Sequence, residues 1–105
     1  MDIDLDLNHR AAEVSLRGRF DFSAHHKFRE ACNKALEHLA DEIHIDLAGV
    51  EYVDSAALGM LLLLKDKCAI SARRLILRRP SAEVLNIFNV ANFSRLFEIR
   101  DTAGG

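Results

Sequence analysis

An apolar segment at residues 56–64, which directly follows Asp54 and Ser55, constrains the fold of this chain more than any other feature. Asp and Ser are favourable N-cap residues, because their side-chain oxygens accept hydrogen bonds from the free N–H groups of a first helical turn. A helix is therefore predicted from Ala56 to about Ala69. We expect Ser55 to lie exposed at the positive end of this helix, beside the Asp54 carboxylate.

The predicted central helix is apolar on more than one side, so a sheet alone cannot cover it. The residues predicted to face the sheet are Leu58, Leu61 and Leu62, and those on the other sides are Met60, Leu63 and Leu64. The second cover is either another helix of the same domain or a partner protein. The run is also shorter than the roughly 20 apolar residues that cross a bilayer, so no membrane span is expected.

Other segments show strand or helix periodicity. Alternation in residues 3–7 and 12–16 predicts a hairpin that ends at Gly18, with its first strand near a sheet edge. An apolar stripe over residues 28–39 predicts an amphipathic helix with Ser23 as its N-cap. Strands are expected at 43–47 and 74–78. A last helix is expected to start at Pro80 and Ser81 and to end at Asn89 or Asn92, before an extended piece at 96–99.

The order of these elements indicates an α/β fold. Strand–helix–strand units imply parallel pairing through right-handed crossovers, and the hairpin adds an antiparallel pair. We therefore predict a mixed sheet, mostly parallel with an N-terminal hairpin, packed with three to four helices. The 105 residues allow one domain with one core. It is predicted at residues 1–100, followed by a flexible tail at 101–105.

Composition and motifs exclude several function classes. The net charge of −2 gives no footprint for direct nucleic-acid binding. No phosphate-binding loop or nucleophile elbow is present, and His25 and His26 diverge by about 100° on a helix, which makes a poor metal pair. We therefore expect neither an enzyme nor a cofactor or metal site. The acidic, alternating N-terminus is not a signal peptide, and a cytoplasmic location is the default.

Three segments together resemble a known family. Residues 18–21 (GRFD) look like a Gly-x-Leu/Phe-Asp segment, residues 45–50 (IDLAGV) like Asp-Leu-Ser-Gly-Val, and residues 53–59 (VDSAALG) like Asp-Ser-Ser-Gly-Leu-Gly. These motifs, at this spacing, resemble the STAS domain family and, within it, the stand-alone bacterial anti-sigma-factor antagonists. The resemblance covers almost the whole chain and implies a STAS-type sheet.

By motif position, the resemblance implies that Ser55 is a phosphoacceptor. In that family a partner kinase, itself an anti-sigma factor related to the histidine-kinase ATPases, phosphorylates this serine, and a PP2C-type phosphatase removes the phosphate. The unphosphorylated form binds the kinase and frees the sigma factor. This chain has Ala56 and Ala57 where Ser and Gly are usual, which leaves Ser55 as the only hydroxyl of the motif.

A partner is expected to cover the start of the central helix and the loop at residues 20–23. The predicted contact residues are Asp21, Phe22, Ser23, Asp54, Ala56, Ala57, Met60 and Leu63. The residues alone leave other roles open, since Asp54, Ser55 and Ser23 are also plain helix caps and Asp21 a turn residue. Met60 and Leu63 fit the core as well as an interface.

Two further questions stay open at this stage. The chain can instead be a non-switching STAS scaffold subunit of a transport or signalling complex, held by constitutive contacts. A weak homodimer through the edge strand is also open.

Overall fold

The computed structural model describes residues 1–102 of the chain. Within them, five strands form one sheet, and four helices lie in the connections that follow β2, β3 and β4. The strands are β1 (Asp2–Leu7), β2 (Ala11–Phe20), β3 (Glu42–Val53), β4 (Arg74–Arg78) and β5 (Glu98–Arg100). The helices are α1 (His25–Glu37), α2 (Ser55–Ile70), α3 (Ala82–Val90) and α4 (Phe93–Leu96), and a 3-10 turn at Phe22–Ala24 precedes α1. Residues 103–105 of the predicted tail lie outside the described residues.

The sheet has the strand order β1-β2-β3-β4-β5. Strands β1 and β2 are antiparallel, and the other three neighbouring pairs are parallel. This confirms the predicted mixed sheet, mostly parallel with an N-terminal hairpin, and places β1 at an edge as its alternation indicated. Because every parallel crossover advances by one strand in the same direction, the right-handed rule puts the helices on one face.

The core lies between that face and the helices. Strand residues Val14, Ile45 and Leu77 are fully buried in one cluster with residues of all four helices. The opposite face of the sheet carries ion pairs. One of them joins Arg74 Nε to Glu98 Oε1 at 2.8 Å. Long charged side chains cover apolar surface with their stems while their heads stay in water, so this face needs no helix above it.

One carboxylate on the charged face, that of Asp46, is buried. Burial disfavours its ionised form, but hydrogen bonds from the Arg79 guanidinium and the Ala48 N–H outweigh that effect and lower the pKa of Asp46. Arg79 makes this contact from a left-handed backbone conformation, with φ at 56°.

The first helix differs from its prediction at both ends. Its expected cap, Ser23, lies inside the 3-10 turn, where Asp21 is the capping residue and accepts the Ser23 N–H. The helix ends at Glu37, because His38 adopts an extended conformation with ψ at 133°. Leu39 therefore leaves the apolar stripe and is 92% exposed, so its predicted place in the core is wrong.

Strand β3 is longer than predicted, since it continues through Ala48 and Gly49 to Val53. Two shifts in its register with β2 absorb the extra residues. Gly49 allows the first shift, because a Cβ at this position would lie 3.0 Å from the Leu16 carbonyl oxygen and 2.6 Å from the Arg17 Cγ. The local pattern indicated a break at the point where the structure has an irregular strand.

Helix α2 begins and ends within one residue of its predicted bounds, but its predicted buried face is only partly correct. The residues it buries are Ala57, Leu61, Leu64 and Cys68. Leu62, predicted to face the sheet, is exposed, and Leu58 is half-buried. A helix that is apolar around its circumference has no single phase in its sequence, so only tertiary contacts select the buried side.

The C-terminal part contains a helix that the sequence pattern did not indicate. Ser81 caps α3 as predicted, and Asn92 adopts the left-handed conformation just beyond its end, with φ at 62°. Helix α4 then replaces the first residue of the predicted extended piece, Leu96. The ring of its residue Phe93 stacks on that of Phe88, with centroids 5.4 Å apart. This contact explains why the chain turns back onto the core here.

Candidate functional site

The candidate site lies at the carboxyl ends of two neighbouring parallel strands, β2 and β3. Phe20 at the end of β2 pairs with Val53 at the end of β3, so the segments that follow them lie side by side. The Asp54 N–H donates to the Phe20 carbonyl oxygen at 3.2 Å and continues the pairing by one bond. The structure therefore brings together the two motif segments around Asp21 and Asp54, which are far apart in sequence.

The Asp54 carboxylate holds these two segments in place. Its Oδ1 accepts the Ala57 N–H at 2.8 Å, which caps α2. Its Oδ2 accepts the Phe22 N–H of the neighbouring loop at 3.2 Å. The cap predicted for Asp54 is thus confirmed, and the same side chain also ties the loop to the helix.

Ser55 is the first residue of α2 and is exposed. Because Asp54 supplies the cap, the Ser55 hydroxyl makes no hydrogen bond to any of residues 1–102. It lies at the helix N-terminus, where the unpaired N–H groups carry a partial positive charge. One turn further on, a Cβ at Gly59 would have no atom within 4 Å apart from its chain neighbours and the backbone of its own helix, so the surface beside Ser55 is open.

Asp21 and Ser23 form a separate hydrogen-bonded pair in the adjacent loop. Asp21 Oδ1 accepts both the hydroxyl and the N–H of Ser23, the latter at 3.0 Å. The hydroxyl bond is the main cause that lowers the pKa of Asp21. The hydroxyl of Ser23 is therefore engaged, in contrast with that of Ser55.

The apolar residues predicted as contacts differ in accessibility. Phe22 is 66% exposed and Leu63 is 64% exposed, whereas Met60 is half-buried against the core. Ala56 is half-buried next to Ser55, and Ala57 is fully buried, so Ala57 takes part in the site through its backbone N–H.

Sequence reasoning missed three residues that border the same surface. His25, Arg29 and Lys67 line a groove between α1 and α2 together with Met60 and Leu63. The ring of His25 stacks on that of Phe22, with centroids 4.9 Å apart. Helical spacing from His25 to Arg29 could have placed these two on one face, but nothing local in the sequence indicated that α2 lies against it.

The part of the chain that the structure describes contains neither a metal cluster nor a membrane-spanning helix. No group of three or more His, Cys, Asp or Glu side chains there could hold a metal ion. Among the helices of residues 1–102, none combines the length and the apolar character needed to cross a membrane.

Comparisons with known proteins agree with this architecture. The family model described as "Mlab, STAS domain" matches residues 3–99. A STAS-domain containing protein of Pseudomonas aeruginosa (strain UCBPP-PA14) is 40% identical over 86 residues, which cover 82% of this chain and 84% of that protein.

Solved structures show the same fold at low sequence identity. A candidate anti-sigma factor antagonist of Thermotoga maritima superposes with a TM-score of 0.85 at 20% identity, over 96% of this chain and 87% of that chain. Bacillus SpoIIAA in its phosphorylated form gives a TM-score of 0.73 at 19% identity, over 95% of this chain and 92% of that chain. The family match and the Pseudomonas relative together establish that this chain belongs to the STAS domain family.

Proposed function

We propose that this chain is an anti-sigma-factor antagonist that works by partner switching in the cytoplasm, as one domain at residues 1–100. In its unphosphorylated form it binds an anti-sigma-factor serine kinase of the histidine-kinase-ATPase type. Phosphorylation of Ser55 releases it, and a PP2C-type phosphatase resets it. It acts as a binding protein rather than as an enzyme.

The observation that carries this proposal is the unengaged hydroxyl of Ser55. A serine that caps a helix would have to give up a hydrogen bond on modification, whereas here Asp54 makes that bond. The Ser55 side chain is exposed, and the neighbouring Gly59 leaves space for a kinase to approach. These features support Ser55 over Ser23, whose hydroxyl is bonded to Asp21.

Phosphorylation would act on the partner more than on the fold. The phosphate adds about 1.5 to 2 negative charges near the carboxylates of Asp54 and Asp21. The helix N-terminus offsets part of this repulsion, by about 0.3–1 kcal/mol at an exposed position. A bound partner would have to desolvate the dianion. Since about 1.4 kcal/mol changes affinity tenfold, a few kcal/mol suffices for release.

The relatives give this proposal its support at the level of the fold. SpoIIAA, described as an anti-sigma factor antagonist, has been solved in unphosphorylated and phosphorylated forms, and each superposes on this chain with a TM-score of 0.73. The same architecture therefore accommodates a phosphate without unfolding in that protein.

Intact mass after incubation with ATP and a candidate anti-sigma-factor kinase of the histidine-kinase-ATPase type tests the proposal. Wild type should gain one phosphate, Ser55→Ala should gain none, and the matched control Ser23→Ala should gain one. Wild type left unmodified by a kinase that is active on itself or on another substrate would refute the pairing. Modification of Ser55→Ala would refute the assignment to Ser55.

A non-switching scaffold subunit is the second candidate. The matching family model is described as "Mlab" and not as an antagonist, which favours keeping this candidate. Partner affinities of Ser55→Ala and Ser55→Asp separate the two functions. A switch predicts strong binding for Ser55→Ala and weak binding for Ser55→Asp, and a scaffold predicts similar affinities for both.

A further inference from the structure

An apolar groove lies between α1 and α2. Its cavity has a volume of about 140 Å³. The residues that line it are His25, Phe28, Arg29, Cys32, Met60, Leu63, Leu64 and Lys67. Burial raises the pKa of Cys32 to about 12, so its thiol stays neutral and adds to the apolar floor.

The volume of the groove limits what it can hold. Sites for drug-sized ligands are usually about 300–1,000 Å³. A cavity of about 150 Å³ accommodates a molecule the size of benzene. The groove, at about 140 Å³, therefore fits one bulky apolar side chain better than a small-molecule ligand.

The length of the groove fits a short stretch of helix. It extends along α1 from His25 to Cys32 and along α2 from Met60 to Lys67. At 1.5 Å per residue, each wall is roughly 10 Å long, which matches about two turns of a helix that lies over the groove and inserts a side chain into it. Recognition of an amphipathic helix in a groove uses apolar anchors at positions i, i+3 or i+4 and i+7, which also span about two turns.

The rim of the groove is positively charged. Arg29 stands on one wall and Lys67 on the other, and no carboxylate lines the groove. Within residues 1–102, neither cation forms an ion pair. The chain as a whole has a net charge of −2, so this positive rim is a local feature. It complements a partner segment that carries acidic side chains.

We propose that the α1–α2 groove binds one helix of the partner protein, which inserts a bulky apolar anchor and places carboxylates against Arg29 and Lys67. This rests on the proposed function, since it names the partner segment for the same surface. The groove adjoins the switch site, because His25 at its end stacks on Phe22, whose N–H is bonded to Asp54. A phosphate on Ser55 would then repel an acidic helix seated beside it.

Three synthetic helical peptides of equal length test this proposal against the isotope-labelled full chain. The first alternates Leu anchors with Glu, the second has every Glu replaced by Lys, and the third keeps Glu but has Ala in place of Leu. The Leu–Glu peptide should shift the amide signals of the groove residues, and its affinity should be at least about tenfold higher than that of the other two peptides. Arg29→Glu combined with Lys67→Glu should reverse the charge preference.

A matched variant controls for total charge. Lys34→Glu with Arg95→Glu makes the same change in net charge at exposed positions outside the groove and should keep the preference for the acidic peptide. The proposal is overturned if no groove signal shifts at roughly 1 mM peptide, or if all three peptides bind equally. It is also overturned if both double variants show the same preference between the acidic and basic peptides. A further contradicting result would be amide signals of groove residues that shift with protein concentration, because a second copy of the chain would then occupy the groove. Phosphorylation of Ser55 is scored independently, so either proposal can fail alone.

Discussion

Removal of the Asp54 carboxylate should destabilise the protein more than removal of an ordinary helix cap. Asp54→Ala deletes the cap of α2, in which Oδ1 accepts the Ala57 N–H at 2.8 Å. It also deletes the bond from the Phe22 N–H to Oδ2 at 3.2 Å, which joins the two halves of the site. Because one side chain accepts both hydrogen bonds, its removal should lower the free energy of unfolding by the sum of the two contributions.

The expected magnitude follows from the two bonds. Loss of an N-cap costs about 1 kcal/mol. Loss of a second, partly exposed hydrogen bond costs about another 1 kcal/mol. Asp54→Ala should thus lower the free energy of unfolding by about 2 kcal/mol, or the melting temperature by about 10 °C. Asp54→Asn retains one accepting oxygen and should lose only about half as much.

Urea unfolding followed by circular dichroism measures these differences, and the chain offers a matched control. Ser81 caps α3 through a single bond from the Val84 N–H at 3.2 Å. Ser81→Ala should therefore cost about 1 kcal/mol. If Asp54→Ala costs no more than Ser81→Ala, the contact between Asp54 and Phe22 contributes nothing, and our account of how the site is held is wrong.

Three further predictions concern single side chains. Gly59→Ala should raise the unfolding free energy by about 0.5–1 kcal/mol in urea titrations, because the added Cβ meets no atom within 4 Å beyond its chain neighbours and the backbone of its own helix, and a loss would contradict that geometry. Ser23→Ala should raise the pKa of Asp21 towards its ordinary 3.8 in a carboxyl NMR titration, since the Ser23 hydroxyl is the main cause of the lowered value. Because folding lowers the pKa of Asp21, the stabilisation from its ionised carboxylate is complete above the pKa of the unfolded chain and is lost as pH falls through the pKa of the folded protein. Ser23→Ala should make this acid-dependent loss of stability smaller, and an unchanged loss would count against the hydrogen bond between Asp21 and Ser23. Arg79→Ala and Arg79→Gly both remove the ion pair with Asp46, but only Gly relieves the φ of 56°, so thermal unfolding should show the Gly variant more stable by about 1 kcal/mol.

The candidate site was accessible to sequence analysis because its signals are local. A capping residue at Asp54 followed by an apolar run predicts a helix start, and the structure confirms the cap. The neighbouring loop around Asp21 was connected to this helix by the motif resemblance and not by any local pattern. The hydrogen bond between Asp54 and Phe22 crosses 32 positions of sequence, so no local periodicity could reveal it.

The sequence by itself determined the mixed sheet and the kinds and order of all elements except α4, because alternation, helical stripes and caps depend on neighbouring residues. Tertiary structure decided which side of α2 is buried, since its apolar residues surround the helix and only packing selects Leu64 over Leu62. It also decided the course of β3 past Gly49 and the formation of the α1–α2 groove with Arg29 and Lys67 on its rim. These features depend on pairs of residues that become neighbours only when the chain has closed on itself.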